Sequence, residues 1–442
     1  MNKDLTAGHP GKTLVLFTIP LFISVIFQQL YNIADSAIAG QYVGEDALAA
    51  VGASYPITMI FMAFAVGSQI GCSVAISKRF GSGDYKSTQT CITTSLLAGL
   101  VLSVVMTVLG VLCSGLLMQL VNTPENVFAE GDLYLKIYTG GFCFVFLYNV
   151  VTGIFNSLGD SKTPLYLLIC SSVGNILLDA LFVIVFRWGV AGVAWATFIA
   201  QGAACICSLA LLKRRMTSLA ADEKPPLFSK EALHEILEVA IPSILQQSFI
   251  SVGNLFIQYW VNGFGSSVIA GYSAAIKLNT CAVTTFTTLG NGVSSFTAQN
   301  LGAGKMRRVG KGLRAGLVFA LITALLFTVL FLVFERPFLS LFMKSGSSAL
   351  AYDTGKMFLT IVSPFYAVVC VKLICDGVLR GSGNMHFFMA ATFTDLILRV
   401  MLAFTFSHFW AQTGIWCAWP VSWFIATVMS AVFCRKVLLV TS

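Results

Sequence analysis

Charge is what this sequence has least of. Only 10% of its 442 residues are Asp, Glu, Lys or Arg, against 57% hydrophobic, and the mean hydropathy is +0.84. A water-soluble domain carries about 25% charged residues. A chain this poor in charge has no aqueous way to cover its apolar surface, which excludes a soluble globular protein and makes lipid the solvent. Metal and nucleotide signatures are missing too. No CxxC or zinc-type spacing occurs among the cysteines, most of which sit inside apolar runs (Cys205, Cys207, Cys370 and Cys375, for example) and read as small buried side chains. The scattered His9, His234, His386 and His408 form no HExxH, GxSxG is absent, and "GSGDYKS" lacks the GK[ST] of a P-loop. These gaps exclude ATP as the expected energy source. They leave no nucleophile–base pair or metal cluster for a membrane enzyme, so the chain is expected not to be an enzyme. The N-terminus "MNKDLTAGHPGKT" is polar and the first apolar run is too long for a signal-peptide core, so that run is expected to act as both first span and targeting signal.

What is present is a series of apolar runs long enough to cross about 30 Å of hydrocarbon. They fall at 13–40, 53–78, 88–119, 133–156, 163–186, 190–212, 236–262, 268–298, 312–334, 355–379, 386–408 and 414–434, which predicts twelve transmembrane helices and an all-α polytopic fold. Basic residues crowd one side of these spans: Lys78, Arg79, Lys213, Arg214, Arg215, Arg307, Arg308, Arg435 and Lys436 among others. The other side receives Lys136, Arg187, Arg336, Lys344 and Lys356. The positive-inside rule places the first side, with both termini, in the cytoplasm of a cell inner or plasma membrane. The net charge of +8 is then topological, and nucleic acid is not an expected partner.

The stretch 213–235, "KRRMTSLAADEKPPLFSKEALHE", is the longest polar segment and reads as a cytoplasmic linker between an N-lobe (1–212) and a C-lobe (236–442). The halves echo each other. Ile19-Pro20 recurs as Ile241-Pro242, "FGSG" (80–83) as "LGAG" (301–304), and "GIFNSLGD" (153–160) as "GVLRGSGN" (377–384), while Gly71 and Gly292 keep the spacing of Gly81 and Gly302. Each half has an even number of spans, so the repeat is parallel. It implies two six-helix lobes related by a pseudo-twofold along the membrane normal.

Several ionisable groups sit inside spans: Asp35, Asp179, Asp376, Asp395, Lys277, Lys372 and Arg399. A charge at the bilayer centre costs at least about 2.5–3.5 kcal/mol on insertion scales, so a chain keeps one for a cavity, a partner or a pathway. Asp35, Asn32 and Gln28 share one helix face, beside Gln29; Asn175 and Asp179 are four apart in "GNILLD". Two carboxylates with amides in one lobe can form an oxygen-rich pocket for a hard cation such as Na+, or hold a proton on a buried carboxylate. The bland reading makes Asp35 a cap near Gly40 and Asp179 a wet interface residue; the intramembrane acids favour function. For Asp376 with Arg380, and for Asp395 with Arg399, local i,i+4 pairing is the first expectation. Lys277 and Lys372 show no evident local partner.

These stretches carry a likeness. "QQLYNIADSAIAGQYVGEDALAAVG" resembles the first-helix region of the multidrug and toxic compound extrusion (MATE) transporters, in particular their Gram-positive-type bacterial branch. "GIFNSLGDSKTPL", "GVAGVAWATFIAQ" and "GVLRGSGN" resemble later signatures of that family, and the likeness runs along essentially the whole chain. The resemblance implies a secondary active efflux transporter, which exchanges H+ or Na+ for cationic or amphipathic drugs by alternating access and needs no cofactor beyond the coupling ion. It further implies a cation-coupling site at Asp35, Asn175, Asp179 and the Thr197 hydroxyl, with Na+ or H+ as the ion. Gln28, Gln29 and Asn32 would supply a supporting polar path, and a monomer is expected. The sequence departs from the family pattern at Asn156, where many relatives carry Arg, and at Asn384, where Asp is common. The nearest rival is a flippase or exporter of a lipid-linked saccharide or other anionic lipid on a related fold. It would want a more basic cavity, and Lys277 and Lys372 speak for it. A major-facilitator transporter would show a "GxxxDRxGRR"-like loop where this chain reads "SKRFGSGDYKST".

Overall fold

The structure is a computed structural model that describes residues 4–38, 42, 45–121, 123–219, 224–343 and 348–440, without the side chains of 33–38, 45–49, 126 and 440. Its elements are α1 (Pro10–Ile38), α2 (Glu45–Gly81), α3 (Tyr85–Leu120), α4 (Glu125–Gly140), α5 (Phe142–Ser157), α6 (Lys162–Asp179), α7 (Gly189–Thr217), α8 (Lys230–Asn262), α9 (Ser266–Gly302), α10 (Met306–Val333), α11 (Glu335–Ser340), α12 (Ala349–Val362), α13 (Tyr366–Gly381) and α14 (Met385–Val440). Among the described residues there is no strand.

Twelve spans emerge from these elements. Nine helices among the described residues are long and apolar enough to cross a membrane, and α4 and α5, bent by 45° at Gly141, join as a tenth. α14 holds two of the expected spans, because Trp410 and Ala411 leave helical geometry (Ala411 φ 48°) between 386–408 and 414–434. α9, 37 residues long, supplies the remaining one although its buried face carries Ser294, Thr297, Gln299 and Asn300. Polar side chains that face protein rather than lipid lower the apolarity of a span without preventing it from crossing.

Local chemistry sets the ends. Asp84 caps α3 by accepting from Ser87 N at 2.9 Å. Asp160 caps α6, accepting from Lys162 N at 3.2 Å and Thr163 N at 3.1 Å. Four connectors turn on glycines with positive φ: Gly83 (78°), Gly159 (75°), Gly304 (67°) and Gly383 (74°). Only glycine takes that conformation without a steric penalty. Gly83 and Gly304 belong to one repeated motif, Gly159 and Gly383 to the other.

The chain forms two compact units, and they are not simply the two halves of the sequence. One contains Ile23–Ser248; the other contains Leu5–Phe22 and Phe249–Ser442. The first part of α1 thus packs with second-half helices, and the first part of α8 with first-half helices. Glycine makes both approaches close. A Cβ at Gly71 would stand 2.6 Å from Ala240 Cβ, and one at Gly292 would stand 2.5 Å from Thr18 Cγ2. A second pair repeats likewise: Gly153 faces the Gln69 carbonyl oxygen (2.6 Å from a built Cβ) and Gly377 faces that of Gly290 (2.3 Å). Small residues let helix backbones touch where lipid offers no hydrophobic drive to association. The repeat read from sequence is therefore also a repeat of contacts.

Each unit fastens its incoming helix at the basic ends of the spans. In the first, Arg79 pairs with Glu235 at 2.7 Å, and Ser229 N donates to Thr94 Oγ1 at 3.0 Å. In the second, Arg308 donates to the carbonyls of Gly8 (2.6 Å) and Ala7 (2.9 Å), Lys305 to that of Thr6 (3.0 Å), and Leu5 N donates to Gln299 Oε1 (3.1 Å).

Candidate functional site

In the first unit the candidate cation ligands lie on α6 and α7. Asn175 and Asp179 are one helical turn apart, 3% and 0% exposed. Asn175 Nδ2 donates to Thr197 Oγ1 of α7 at 3.4 Å, and its Oδ1 is buried with no hydrogen-bond partner. Asp179 ends α6 where the helix widens into a π-helix over Ala180–Val185. Such widenings often accompany functional sites. α7 follows through Arg187 and Gly189, both at positive φ (56° and 59°), and its Gly192 lies close against Phe182 of the π-helix. The structure thus places Asn175 against Thr197, with Asp179 one turn further along α6, so that carboxylate, amide and hydroxyl oxygens are available there. Hard cations take such ligands. The side chain of Asp35 lies outside the described residues. α1 from Ile23 onward belongs to the same compact unit as α6 and α7. On α1, Gln28 and Asn32 are exposed and Gln29 is half-buried.

The second unit holds a buried set of charges that sequence reasoning only partly resolved. The expected Asp395–Arg399 pair is present at 3.0 Å. The expected Asp376–Arg380 pair is not: Asp376 takes Lys372, also four residues away, at 2.8 Å. Asp376 Oδ1 accepts from Ser430 Oγ at 2.7 Å, and Lys372 stands 3.9 Å from Asp395. The choice is tertiary. Asp395 and Ser430, both on α14, make the Lys372 side of α13 the better place for the ion pair. Lys372 therefore does have a local partner, at the same i,i+4 spacing as Arg380 on the other side of Asp376, against the expectation that it has none. Arg399 lies over the Trp419 ring at 4.5 Å, inside an aromatic wall where Tyr272 stacks on Trp416 at 5.0 Å. Lys277, by contrast, is exposed on α9 and sits 5.4 Å from the Phe342 ring centroid.

Buried acids and bases held by long apolar helices, in two units built from one repeat, define a polytopic membrane protein of transporter architecture. The chain belongs to the MatE family: that family model matches residues 20–181 and 242–405, one block in each half. It is 29% identical over 413 residues to the "Probable multidrug resistance protein YpnP" of Bacillus subtilis (strain 168), covering 93% of this chain and 92% of that one. It is 26% identical over 350 residues to an "FAD transporter" of Shewanella oneidensis, covering 77% of this chain and 76% of that one. The fold superposes, with a TM-score of 0.93 over 99% of this chain and 98% of the other, on a MOP superfamily transporter from Pyrococcus furiosus at 22% identity. The twelve-helix, two-lobe expectation is the fold of this family.

Proposed function

We propose that this protein is a secondary active exporter of cationic or amphipathic drugs, driven by H+ or Na+ entering at Asp35, Asn175, Asp179 and Thr197. The observation that carries the reading is the pairing of a fully buried carboxylate, Asp179, with a buried amide oxygen of Asn175 that has no hydrogen-bond partner, one turn away. A carboxylate inside a span is costly while charged, and a cation or proton removes that cost. Family membership and the multidrug-resistance name of the Bacillus relative support the substrate class. Gln28, Gln29 and Asn32 serve as a polar path along α1 toward Asp35. The protein works as a monomer in the plasma membrane, with both termini cytoplasmic, and performs no covalent chemistry.

The coupling follows from unequal binding. Ion binding neutralises the carboxylates and favours one conformation; the cationic drug favours the one in which they are charged. A ligand with equal affinity for both would shift nothing. Pro20 within α1 removes one backbone hydrogen bond and offers a place where that helix adjusts. A second reading, export of an anionic or lipid-linked substrate, draws on exposed Lys277 and on the FAD-transporting relative. Everted vesicles containing the wild-type protein decide between them. The proposal expects a pH step or a Na+ step to drive uptake of ethidium or tetraphenylphosphonium, with FAD neither moved nor competing. Gradient-driven FAD uptake without cation uptake would establish the second reading instead.

A further inference from the structure

The bases at the start of α10 divide into two groups. Lys305 and Arg308 spend their donors on carbonyls of the chain's first residues. Arg307, Lys311 and Arg314 do not. The three are partly or fully exposed, and none makes an ion pair or a side-chain hydrogen bond among the described residues. Their spacing, i, i+4 and i+7, puts them on one face of the helix. The same face continues through Val318, Ile322 and Leu325, which are 58%, 61% and 65% exposed. α10 presents a continuous stripe: three bases over its first turns, then apolar side chains along the span. Gly310 lies beside the bases, and a Cβ there would meet nothing within 4 Å, which leaves room for a group seated against the helix.

The repeat provides an internal control. α3 follows the first-half copy of the same glycine turn, and the spacing that links Gly81 to Gly302 sets Lys86, Thr90 and Thr93 against Arg307, Lys311 and Arg314. Thr90 and Thr93 turn their hydroxyls back onto their own helix, to Lys86 O and Gln89 O, each at 3.1 Å. The apolar part of the stripe is kept: Leu97 and Val101 stand at the places of Val318 and Ile322, 45% and 66% exposed. Two of the three bases are particular to α10. A charge bias that only orients the chain acts through the bases near the span ends as a set. It does not call for a ladder of them on one face of one helix.

We propose that this face of α10 binds one anionic glycerophospholipid from the leaflet at the basic ends of the spans. Arg307, Lys311 and Arg314 hold its phosphodiester, and its acyl chains lie along Val318, Ile322 and Leu325. Arginine forks match phosphate oxygens two at a time. The three backbone positions rise about 10 Å along the axis, and long side chains reach along the helix to one head-group level. Three bases without an acid among them select net negative charge, which a zwitterionic head group, carrying its own ammonium, does not supply. Free phosphate lacks the chains that the apolar part of the stripe would take.

The test is native mass spectrometry of the full-length protein released from nanodiscs of equal parts phosphatidylglycerol and phosphatidylcholine. Wild type is expected to retain one phosphatidylglycerol, enriched about tenfold or more over phosphatidylcholine. The triple variant Arg307→Gln/Lys311→Gln/Arg314→Gln should lose that enrichment. Lys78→Gln/Lys213→Gln/Arg214→Gln makes the same charge change at exposed bases of the first unit and should keep it. Equal retention of the two lipids by wild type, enrichment undiminished in the α10 variant, or an equal loss in the first-unit variant would each overturn the proposal. Should the α10 triple variant fail to fold, Arg307→Gln and Arg314→Gln are read singly. Each should then lower the enrichment, and no change in either would overturn the proposal.

Discussion

The two units repeat the same glycine contacts and the same turns, yet different side chains stand beside their buried acids. In the first, Asp179 lies one turn from Asn175, whose amide donates to the Thr197 hydroxyl at 3.4 Å. In the second, Asp376 and Asp395 have built-in cations at 2.8 and 3.0 Å. A buried acid beside neutral amide and hydroxyl groups would gain from a proton or a cation that offsets its charge. Acids already paired with lysine and arginine have little to gain from a further cation. On the proposed function, one repeat has diverged into a site that switches and a site that is locked, and the difference lies in a few side chains rather than in helix placement.

Breaking that comparison should produce effects of graded size. The largest is expected at the switching site. Asp35→Asn should leave the protein folded and in the membrane, since Asn is nearly isosteric with a protonated Asp, and should reduce gradient-driven drug efflux to background in everted vesicles. Next comes the locked site. Lys372→Met strands a buried carboxylate, and about 3–5 kcal/mol of stability should be lost, as removing one partner of a buried pair does. It should be read from unfolding of the purified protein. Adding Asp376→Leu to it should restore much of that loss, whereas no second substitution is expected to rescue transport in Asp35→Asn.

Smaller effects test the shared frame. Gly153→Ala and Gly377→Ala each press a methyl group onto a facing carbonyl, 2.6 and 2.3 Å away before relaxation. Both should cost about 1–3 kcal/mol, as overpacking does, and a matching loss in the two halves would sharpen the claim that the contacts repeat. The smallest is expected at Arg79–Glu235, where the side chains are 12% and 29% exposed. Glu235→Ala should cost about 0–1 kcal/mol in unfolding measurements, the range for partly solvated pairs.

Much of this frame was legible in the sequence, because span length, basic flanks and repeated glycine motifs are local signals. Thr197 beside Asn175 came from a resemblance, and the structure places the two in hydrogen-bond contact. Other features depend on contacts between residues far apart in the chain. Nothing local in "GKTLVLFTIPLF" shows that it packs with α9, where Thr18 meets Gly292. Around Asp376 the sequence offers Lys372 and Arg380 at the same four-residue spacing, and only Asp395 and Ser430 on α14 decide between them.

The most direct measurement of the central claim, that charge switching in the first unit drives transport, uses proteoliposomes under an imposed pH step and, separately, a Na+ step. Ethidium flux would be followed for wild type, Asp179→Asn and Asp395→Asn, together with ethidium binding at equilibrium. The account predicts that at least one gradient drives wild-type flux. It predicts that neither drives Asp179→Asn, which binds ethidium more weakly than wild type because it mimics the neutralised state, and that Asp395→Asn retains gradient dependence in whatever fraction folds. Asp179→Asn following the gradient at the wild-type rate would contradict it.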